Sequence, residues 1–290
     1  MQQLFFKEKY ARFDRETPFE FSMRSSIGCG GKAGIAFYPK SVKELAELVK
    51  NLDEDKIPFY MLGNLTNVLP SEGKINRVIV CTRKMCGEEN GFFPAGISSA
   101  KLLSICEQAS LSGAEFLEGI PCTLGGALFM NAGVGGRYIA EIVESVAMYQ
   151  EGEVHSLSVA ECGYSYKKSV FMDKNSVILG AKLALVDADK DWIISERQRY
   201  RRRRAHLPKG KSMGCVFKNP DGYVAGRLIE GAGLKGLRIG GAKISNLHGN
   251  FIINDGKATA SDVRTLIEII KKAVFAQYKI RLEEEIRYIT

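Results

Sequence analysis

Long apolar runs, paired cysteines and clustered histidines are all missing from this 290-residue chain. No apolar run approaches the roughly 18 residues that a membrane-spanning helix requires. The amino end carries charge by Lys7 and Glu8, which leaves no room for the apolar region of a signal peptide. Seven cysteines without a Cys-x-x-Cys pair do not form a disulfide scaffold, so a reducing cytoplasm fits best. Three histidines without a His-Glu-x-x-His motif offer little for a metal site, and we expect none.

Acidic residues are absent from residues 197–211, a stretch that holds eight basic residues. The whole chain has 41 Lys and Arg against 33 Asp and Glu, so outside this stretch the two signs balance at 33 each. A single basic stretch in an otherwise neutral protein indicates an anionic ligand nearby. A solvated helix face is the alternative. Binding of nucleic acid is a further one, although Tyr200 is the one aromatic residue there that could stack on bases.

Glycine is concentrated in two places, with seven of the 30 glycines in residues 113–136 and ten in residues 210–249. Glycine accumulates where the backbone takes positive φ or approaches a ligand closely, so these stretches are candidate site loops.

Helices and strands are predicted in irregular succession, without βαβ alternation, which favours an α+β fold. One helix is capped by Ser41, a second is closed by Gly113 and the last is capped by Ser261. The predicted helices cover residues 41–52, 98–113, 221–236 and 261–278. The predicted strands cover residues 75–82, 143–150, 153–159, 175–187 and 251–255, with a strand-like tail at 280–290.

Six segments, in order along the chain, resemble the UDP-N-acetylenolpyruvoylglucosamine reductase family. They are EFLEGIPCTLGGALFMNAG (115–133), YKKSVF (166–171), GCVFKNP (214–220), LIEGAGLKG (228–236), GAKISNLHGNFIIN (241–254) and LEEEI (282–286). The resemblance runs from about Ser25 to the end, and the compact length suggests the shorter subclass of the family.

The resemblance implies an α+β fold, with a two-subdomain FAD-binding module of the vanillyl-alcohol-oxidase-like type and an α+β substrate-binding domain. The expected domains are residues 1–85 and 86–185 for the FAD-binding subdomains, 186–276 for the substrate-binding domain and 277–290 for a tail that returns to the active site.

The implied activity is reduction of UDP-N-acetylglucosamine enolpyruvate to UDP-N-acetylmuramate in peptidoglycan precursor synthesis, with FAD as cofactor and NADPH as reductant. Hydride passes through the flavin N5 to C3 of the enolpyruvyl ether, and C2 takes a proton. The expected partners are therefore these small molecules, without nucleic acid or membrane. A related FAD-dependent sugar or alcohol oxidoreductase is one alternative. A non-catalytic protein that binds nucleic acid through residues 197–211 is the other.

A flavin cradle in two parts is carried over from the resemblance. Residues 62–69 match a pyrophosphate turn, whose backbone N–H groups bind an anion and whose Thr66 and Asn67 side chains add donors. Leu65 replaces a glycine there, at a position that suits positive φ. Cys122 replaces a glycine in the second part. The cofactor-binding residues so implied are Gly63, Asn64, Leu65, Thr66, Asn67, Gly119, Ile120, Pro121, Cys122, Thr123, Gly125, Gly126, Asn131 and Gly133.

Three residues are carried over as catalytic. Glu285 matches the carboxylate that manages charge and proton at the enolate, and Cys215 stands at the serine that protonates C2. Lys167, or in another alignment Lys168, replaces the arginine that orients and polarises the substrate carboxylate, and lysine lacks the two-pronged guanidinium fork. A structural cysteine beside another acid is the alternative for Cys215.

Four further positions match substrate-contacting residues of the family: Tyr166, Asn219, His248 and Arg287. A structural role is the alternative for His248, and a place in the core is the alternative for Tyr166.

Overall fold

A computed structural model describes residues 8–173 and 176–290 of the chain. The prediction about the amino end concerns residues that lie largely outside this range, and Asn175, at the start of one predicted strand, also lies outside it. The helices are α1 Glu8–Ala11, α2 Phe21–Arg24, α3 Val42–Glu54, α4 Ser99–Gln108, α5 Leu124–Met130, α6 Lys190–Arg204, α7 Ala225–Gly231 and α8 Ala260–Tyr278. The strands are β1 Arg15–Glu16, β2 Phe19–Glu20, β3 Lys32–Ala33, β4 Ala36–Phe37, β5 Phe59–Leu62, β6 Val68–Pro70, β7 Lys74–Ile75, β8 Val78–Cys81, β9 Phe92–Pro94, β10 Leu111–Ser112, β11 Gly133–Val134, β12 Arg137–Tyr138, β13 Val143–Gln150, β14 Glu153–Ser158, β15 Val177–Leu183, β16 Val186–Asp187, β17 Lys211–Cys215, β18 Arg238–Ile239, β19 Ala242–Ile244, β20 Phe251–Asn254 and β21 Arg287–Ile289. None of the helices in the described ranges has the length and apolarity needed to cross a membrane.

The chain divides into two compact units. The first contains the described residues up to Thr17 together with residues 35–64 and 77–205, and the second contains residues 18–34, 65–76 and 206–290. The expected domain boundaries do not coincide with these units, because helix α6 packs in the first unit through the buried Tyr200. As functional domains, the expected boundaries stay a prediction.

The first unit contains two four-stranded sheets among its described residues. One has the order β1-β4-β8-β5, and the other is antiparallel in the order β14-β13-β15-β9. Helix α3 buries Leu45, Leu48 and Leu52 in a core that also contains residues of β8 and β15. Strands β13 and β14 and the helix cap at Ser41, which accepts the Glu44 N–H at 3.1 Å, confirm the sequence predictions. The long strand predicted over 175–187 is divided, because β15 ends at Leu183 and residues 186–187 form β16, which pairs with β10 in a different sheet.

Helix α4 is shorter than the predicted helix 98–113. It is capped by Ser98, which accepts the Lys101 N–H at 3.2 Å, and it ends at Gln108. Ser110 takes a left-handed φ of 56°, so the helix cannot continue, and the chain proceeds as strand β10 instead of ending the helix at Gly113.

The second unit is built on the antiparallel sheet β17-β20-β19-β18, with buried residues of α7 and α8 in its core. The predicted cap at Ser261 is wrong, because α8 begins earlier with a capping box: Thr259 accepts the Asp262 N–H at 3.0 Å, and Asp262 accepts the Thr259 N–H at 3.0 Å. Helix α7 is shorter than predicted, since Gly222 and Gly233 take positive φ on either side of it. The mixture of helices with mainly antiparallel sheets confirms the α+β prediction.

Leu65 takes a left-handed φ of 53°, as the substitution of a family glycine predicts, although its side chain is 3% exposed. Its carbonyl accepts the Ser26 N–H at 3.1 Å. The left-handed conformation costs a residue with a Cβ about 1–2 kcal/mol. Burial of a leucine side chain stabilises by about 1.5–3 kcal/mol, so burial offsets the strain.

We therefore expect Leu65→Gly to be more stable than Leu65→Ala by about 1 kcal/mol in urea unfolding, because both lose the buried side chain but glycine also loses the strain. The matched control is Leu48 in helix α3, where Leu48→Gly should be less stable than Leu48→Ala by about 1 kcal/mol. The same order of glycine and alanine at both positions would contradict this account of Leu65.

Candidate active site

Two segments that are far apart in sequence, the turn at Gly63 and the loop 119–123, lie against each other in the first unit. Gly63 packs so closely on Thr123 that a Cβ at position 63 would collide with the Thr123 hydroxyl. The side-chain amide of Asn64 donates to the carbonyl of Pro121 at 3.3 Å. The first part of the predicted cradle thus meets the second at these residues.

Helix α5 begins directly after this loop, and Thr123 caps it by accepting the Gly126 N–H at 3.3 Å. Gly125 is required for internal packing, because its N–H donates to the Ala95 carbonyl at 2.7 Å and a Cβ there would press on Ala95. Gly126 is exposed, and a Cβ on it would meet one described atom within 4 Å, the Thr123 hydroxyl oxygen at 3.5 Å. The backbone at Gly126 therefore presents an open surface.

Cys122 lies within the loop. Burial raises the pKa of the Cys122 thiol to about 11, while the hydrogen bond with Ser99 and the charges of Arg204 and Lys167 lower it only in part. The sulfur therefore stays protonated at neutral pH and is a weak nucleophile. Lys167, predicted to be catalytic, lies near enough to this loop for its charge to lower the pKa of Cys122.

Lys167 lies in a tight turn in which Ser165 and Lys168 exchange both backbone hydrogen bonds at 3.1 Å. It takes a left-handed φ of 53° and is half-buried, whereas Lys168 is exposed. Asn131 anchors the turn to the end of helix α5, since its side-chain amide donates to the Ser165 carbonyl at 2.9 Å. The Asn131 side-chain oxygen accepts the Ala140 N–H at 3.3 Å, so both ends of this buried amide bond within the protein.

Tyr166, next to Lys167, is 43% exposed, so the alternative that it fills the core is wrong. Gly133 is required by the hairpin of β11 and β12, because a Cβ there would collide with the carbonyl of Arg137.

The basic stretch forms the second half of helix α6 and continues into strand β17, and its arginines meet an acidic residue of the loop region. Glu118, 8% exposed, accepts from Arg197 Nε at 2.8 Å and from Arg201 Nη2 at 2.8 Å. Burial alone would raise the pKa of Glu118, but the hydrogen bonds and charges of the two arginines outweigh it and hold the pKa below its usual value.

Two further contacts tie helix α6 to neighbouring segments. Arg197 also pairs with Glu107 of helix α4, and Arg204 Nε donates to the carbonyl of Gly119 at 3.1 Å. The arginines at 197, 201 and 204 therefore hold the chain at Glu118 and Gly119, immediately before the rest of the loop.

In the second unit, the residues after Gly63 and Asn64 lie beside the carboxyl-terminal tail. The side-chain amide of Asn67 donates to the Glu285 carbonyl at 3.1 Å, and the Arg287 N–H donates to the Asn67 carbonyl at 2.9 Å. Strands β6 and β21 continue this contact as a parallel pair, with Val68 opposite Arg287.

Cys215 ends strand β17 on the other side of the same tail. The pairing of β17 with β20 shifts register between Ser212 and Cys215, and Gly214 takes a φ of 75° there. Such a bulge re-aims the side chain that follows it. The Glu285 N–H then donates to the carbonyl of Val216, the next residue, at 2.8 Å, so the segments that carry Cys215 and Glu285 run side by side.

Asn219 and His248 both contact helix α7. The Asn219 side-chain oxygen accepts the Ala225 N–H at 3.0 Å, at the start of the helix, and His248 packs so closely on Gly226 that a Cβ there would lie 2.9 Å from its ring. Burial and the charges of nearby basic groups lower the pKa of His248, and its Nδ1 accepts the Asn250 N–H at 3.2 Å. These contacts favour a neutral, structurally held imidazole with its proton on Nε2.

Comparison with known proteins first gives a class. A family model described as an FAD binding domain matches residues 33–158, which include the turn at Gly63 and the loop 119–123. The chain is a flavin-binding protein, and FAD is its cofactor.

The particular family follows from three matches. The model described as the carboxyl-terminal domain of UDP-N-acetylenolpyruvoylglucosamine reductase matches residues 205–289. Relatives with that name from Caldanaerobacter subterraneus subsp. tengcongensis and Clostridioides difficile are 39% and 37% identical, each over 91% of this chain and 90% of the relative. The crystal structure of the enzyme from Thermus caldophilus matches with a TM-score of 0.82 at 33% identity, over 96% of this chain and 99% of that one. The chain belongs to the UDP-N-acetylenolpyruvoylglucosamine reductase family, which confirms the family and fold class expected from its sequence.

Within each unit, the structure brings sequence-predicted residues close to one another. It also shows a structurally important residue, Glu118, that the sequence analysis missed. Glu118 was not singled out, although an acidic residue within a glycine-rich loop and a basic stretch without acidic residues were a signal for such a pair. The contact of Asn67 with Glu285 joins positions 218 residues apart, and no local pattern points to it.

We expect Glu118→Gln to lower the free energy of unfolding by about 2–3 kcal/mol in urea titration. Removing one partner of a buried ion pair costs about 3–5 kcal/mol, and glutamine keeps one acceptor while Arg197 keeps Glu107. The control is Glu196→Gln, which removes an exposed pair with Arg199 on helix α6 and should cost less than about 0.5 kcal/mol. Equal losses in the two variants would show that Glu118 has no special structural weight.

Proposed function

We propose that this chain reduces UDP-N-acetylglucosamine enolpyruvate to UDP-N-acetylmuramate, a step of peptidoglycan precursor synthesis, with FAD as cofactor and NADPH as reductant. The observation that carries the proposal is the side-by-side course of the segments with Cys215 and Glu285, within a carboxyl-terminal region that matches the reductase model. All seven cysteines lie in the described residues and are thiols, which supports a cytoplasmic location.

The residues of the first unit fit a flavin. Gly63 carries no side chain where it abuts the Thr123 hydroxyl, and Gly126 offers open backbone on which a planar ring can lie. We assign the holding of FAD to the turn at 63–66 and to the loop and helix at 119–133. A protonated Cys122 supports a non-covalent cofactor, since a thiol is a poor nucleophile.

A bound FAD would supply the hydride chemistry of the reaction, from NADPH through N5 to C3 of the enolpyruvyl ether. The protein must then stabilise the charge that grows on the substrate carboxylate and supply one proton to C2. Lys167 is the proposed cation for that carboxylate. Its place in the turn supports this role, because Asn131 anchors the backbone of the turn that carries the side chain.

Cys215 is the proposed proton donor to C2, and Glu285 is the proposed carboxylate that manages charge and proton beside it. A thiol releases a proton more readily than a serine hydroxyl and has the same connectivity, so it suits this role. Tyr166, Asn219, His248 and Arg287 are the proposed substrate contacts. For Asn219 and His248, the internal bonds at Oδ1 and Nδ1 fix the orientation of the side chains, which supports that role.

The experiment for this function follows the flavin colour in an anaerobic stopped-flow instrument. NADPH should bleach the native protein, and the enolpyruvyl sugar should restore its colour. In Glu285→Gln, the return of colour should slow by 100-fold or more, in line with the roughly 10²–10⁴-fold contribution of general acid–base groups. Bleaching by NADPH should change little. Equal slowing of both steps would remove Glu285 from the second one.

Cys215 gives a separate prediction. Cys215→Ser should keep measurable activity, whereas Cys215→Ala should lose about 100-fold or more of the return of colour while NADPH still bleaches the flavin. After treatment with peroxide the native enzyme should lose activity and Cys215→Ser should keep it, because a thiol oxidises and a hydroxyl does not. Cys86→Ser, at an exposed cysteine, is the control and should lose activity with peroxide as the native protein does. An alanine variant with native turnover would exclude Cys215 as the donor.

A further inference from the structure

The side-chain amide of Asn67 contacts the backbone of Glu285 in the carboxyl-terminal tail. Its Nδ2 donates to the Glu285 carbonyl at 3.1 Å, and its own carbonyl accepts the Arg287 N–H at 2.9 Å. Asn67 thus bonds to two residues of the tail, one on each side of Ile286, which is 4% exposed in the core of the second unit.

The opposite edge of the tail is held as well. The Glu285 N–H donates to the Val216 carbonyl at 2.8 Å, and the Lys218 N–H donates to the Glu283 carbonyl at 2.9 Å. Both main-chain polar groups of Glu285 are therefore used, the N–H by the segment that follows Cys215 and the carbonyl by Asn67. The backbone from which the Glu285 side chain projects is fixed from both sides.

The neighbouring side chain is also tied down. Glu284 bonds to Lys271 Nζ at 3.0 Å and to the Tyr288 hydroxyl at 2.6 Å. Glu284 forms an antiparallel bridge with Phe217, and successive side chains of such an extended stretch point to opposite faces, so the Glu285 carboxylate projects from the face opposite Glu284. Of the two main-chain bonds of Glu285 named above, the one from Asn67 is made by a side chain, and substitution can remove it without altering the sequence of the tail.

We propose that Asn67 is a positioning residue for Glu285 and acts in the reduction of the enolpyruvyl substrate, not in the binding of FAD. This inference rests on the proposed role of Glu285. The resemblance implied that the Asn67 side chain donates to the flavin pyrophosphate, as part of the turn in which it lies. The inference assigns a different function to this residue. A displacement of about 1 Å in a catalytic group can cost on the order of 100-fold in rate, so one hydrogen bond to this backbone suffices to affect turnover.

The test compares Asn67→Ala and the isosteric Asn67→Asp with Asn64→Ala, each as the flavin-loaded enzyme. Three quantities are measured: the dissociation constant of FAD from its fluorescence, the rate of bleaching by NADPH, and the rate at which UDP-N-acetylglucosamine enolpyruvate restores the colour. Both Asn67 variants should slow the return of colour by about 10–100-fold. Their FAD affinity and bleaching rate should stay within about threefold of native. Asn64→Ala should show the reverse pattern, because Asn64 bonds to the loop at Pro121.

A double variant separates positioning through Glu285 from a general structural effect. If Asn67 acts through the Glu285 carboxylate, adding Asn67→Ala to Glu285→Gln should slow the return of colour by less than about twofold further. Additive losses would overturn the inference, and so would weaker FAD binding with equal slowing of both steps.

The variants of Glu285 and Asn67 distinguish a wrong positioning role for Asn67 from a wrong proposed function for Glu285. If Glu285→Gln slows the return of colour and neither Asn67 variant does, the positioning role is wrong and the role of Glu285 stands. If Glu285→Gln leaves the return of colour unchanged, the proposed function of Glu285 is wrong and the positioning role falls with it.

Discussion

The pairing of the carboxyl-terminal tail with two separate segments of the second unit is the constraint on which the candidate site of that unit depends. The tail bonds to Val216 on one edge and to Asn67 and strand β6 on the other, and it buries Leu282, Ile286 and Ile289. Among the described strands, β6 pairs with β21 alone, so β6 would have no strand partner without the tail. The tail thus brings the first and last parts of the sequence-predicted site within hydrogen-bonding distance of each other.

In the first unit, the corresponding constraint is the ion pairing of Glu118 with two arginines. A carboxylate as buried as Glu118 would be costly alone, and two guanidinium groups compensate for its desolvation. Replacing such a pair by apolar residues is often neutral for stability, whereas removing one partner leaves an uncompensated buried charge. Here the pairing fixes helix α6 to the segment that leads into Gly119, and it accounts for part of the basic stretch without any external anion.

The residues at which the chain departs from its family's pattern are accommodated by different physical means. The apolar burial of Leu65 offsets its left-handed backbone, and burial keeps Cys122 neutral although Arg204 and Lys167 lower its pKa in part. Lys167 retains a positive charge and is held in a turn that Asn131 anchors. None of these positions requires a different fold, which agrees with the extent of the match to the family.

The sequence alone determined the α+β class, the family, the cofactor and the positions of strands such as β13, β14 and β20, because these follow from local periodicity and from short motifs whose order survives without a structure. It misjudged helix ends, at Gln108 and at Thr259, where one left-handed residue or a reciprocal side-chain cap decides between neighbouring positions. Only the tertiary structure decided which side chains meet: Glu118 with Arg197 and Arg201, and Asn67 with Glu285. The physical reason is that a hydrogen bond or ion pair between distant positions depends on how the strands and helices between them pack, and the periodicity of either partner carries no record of that packing.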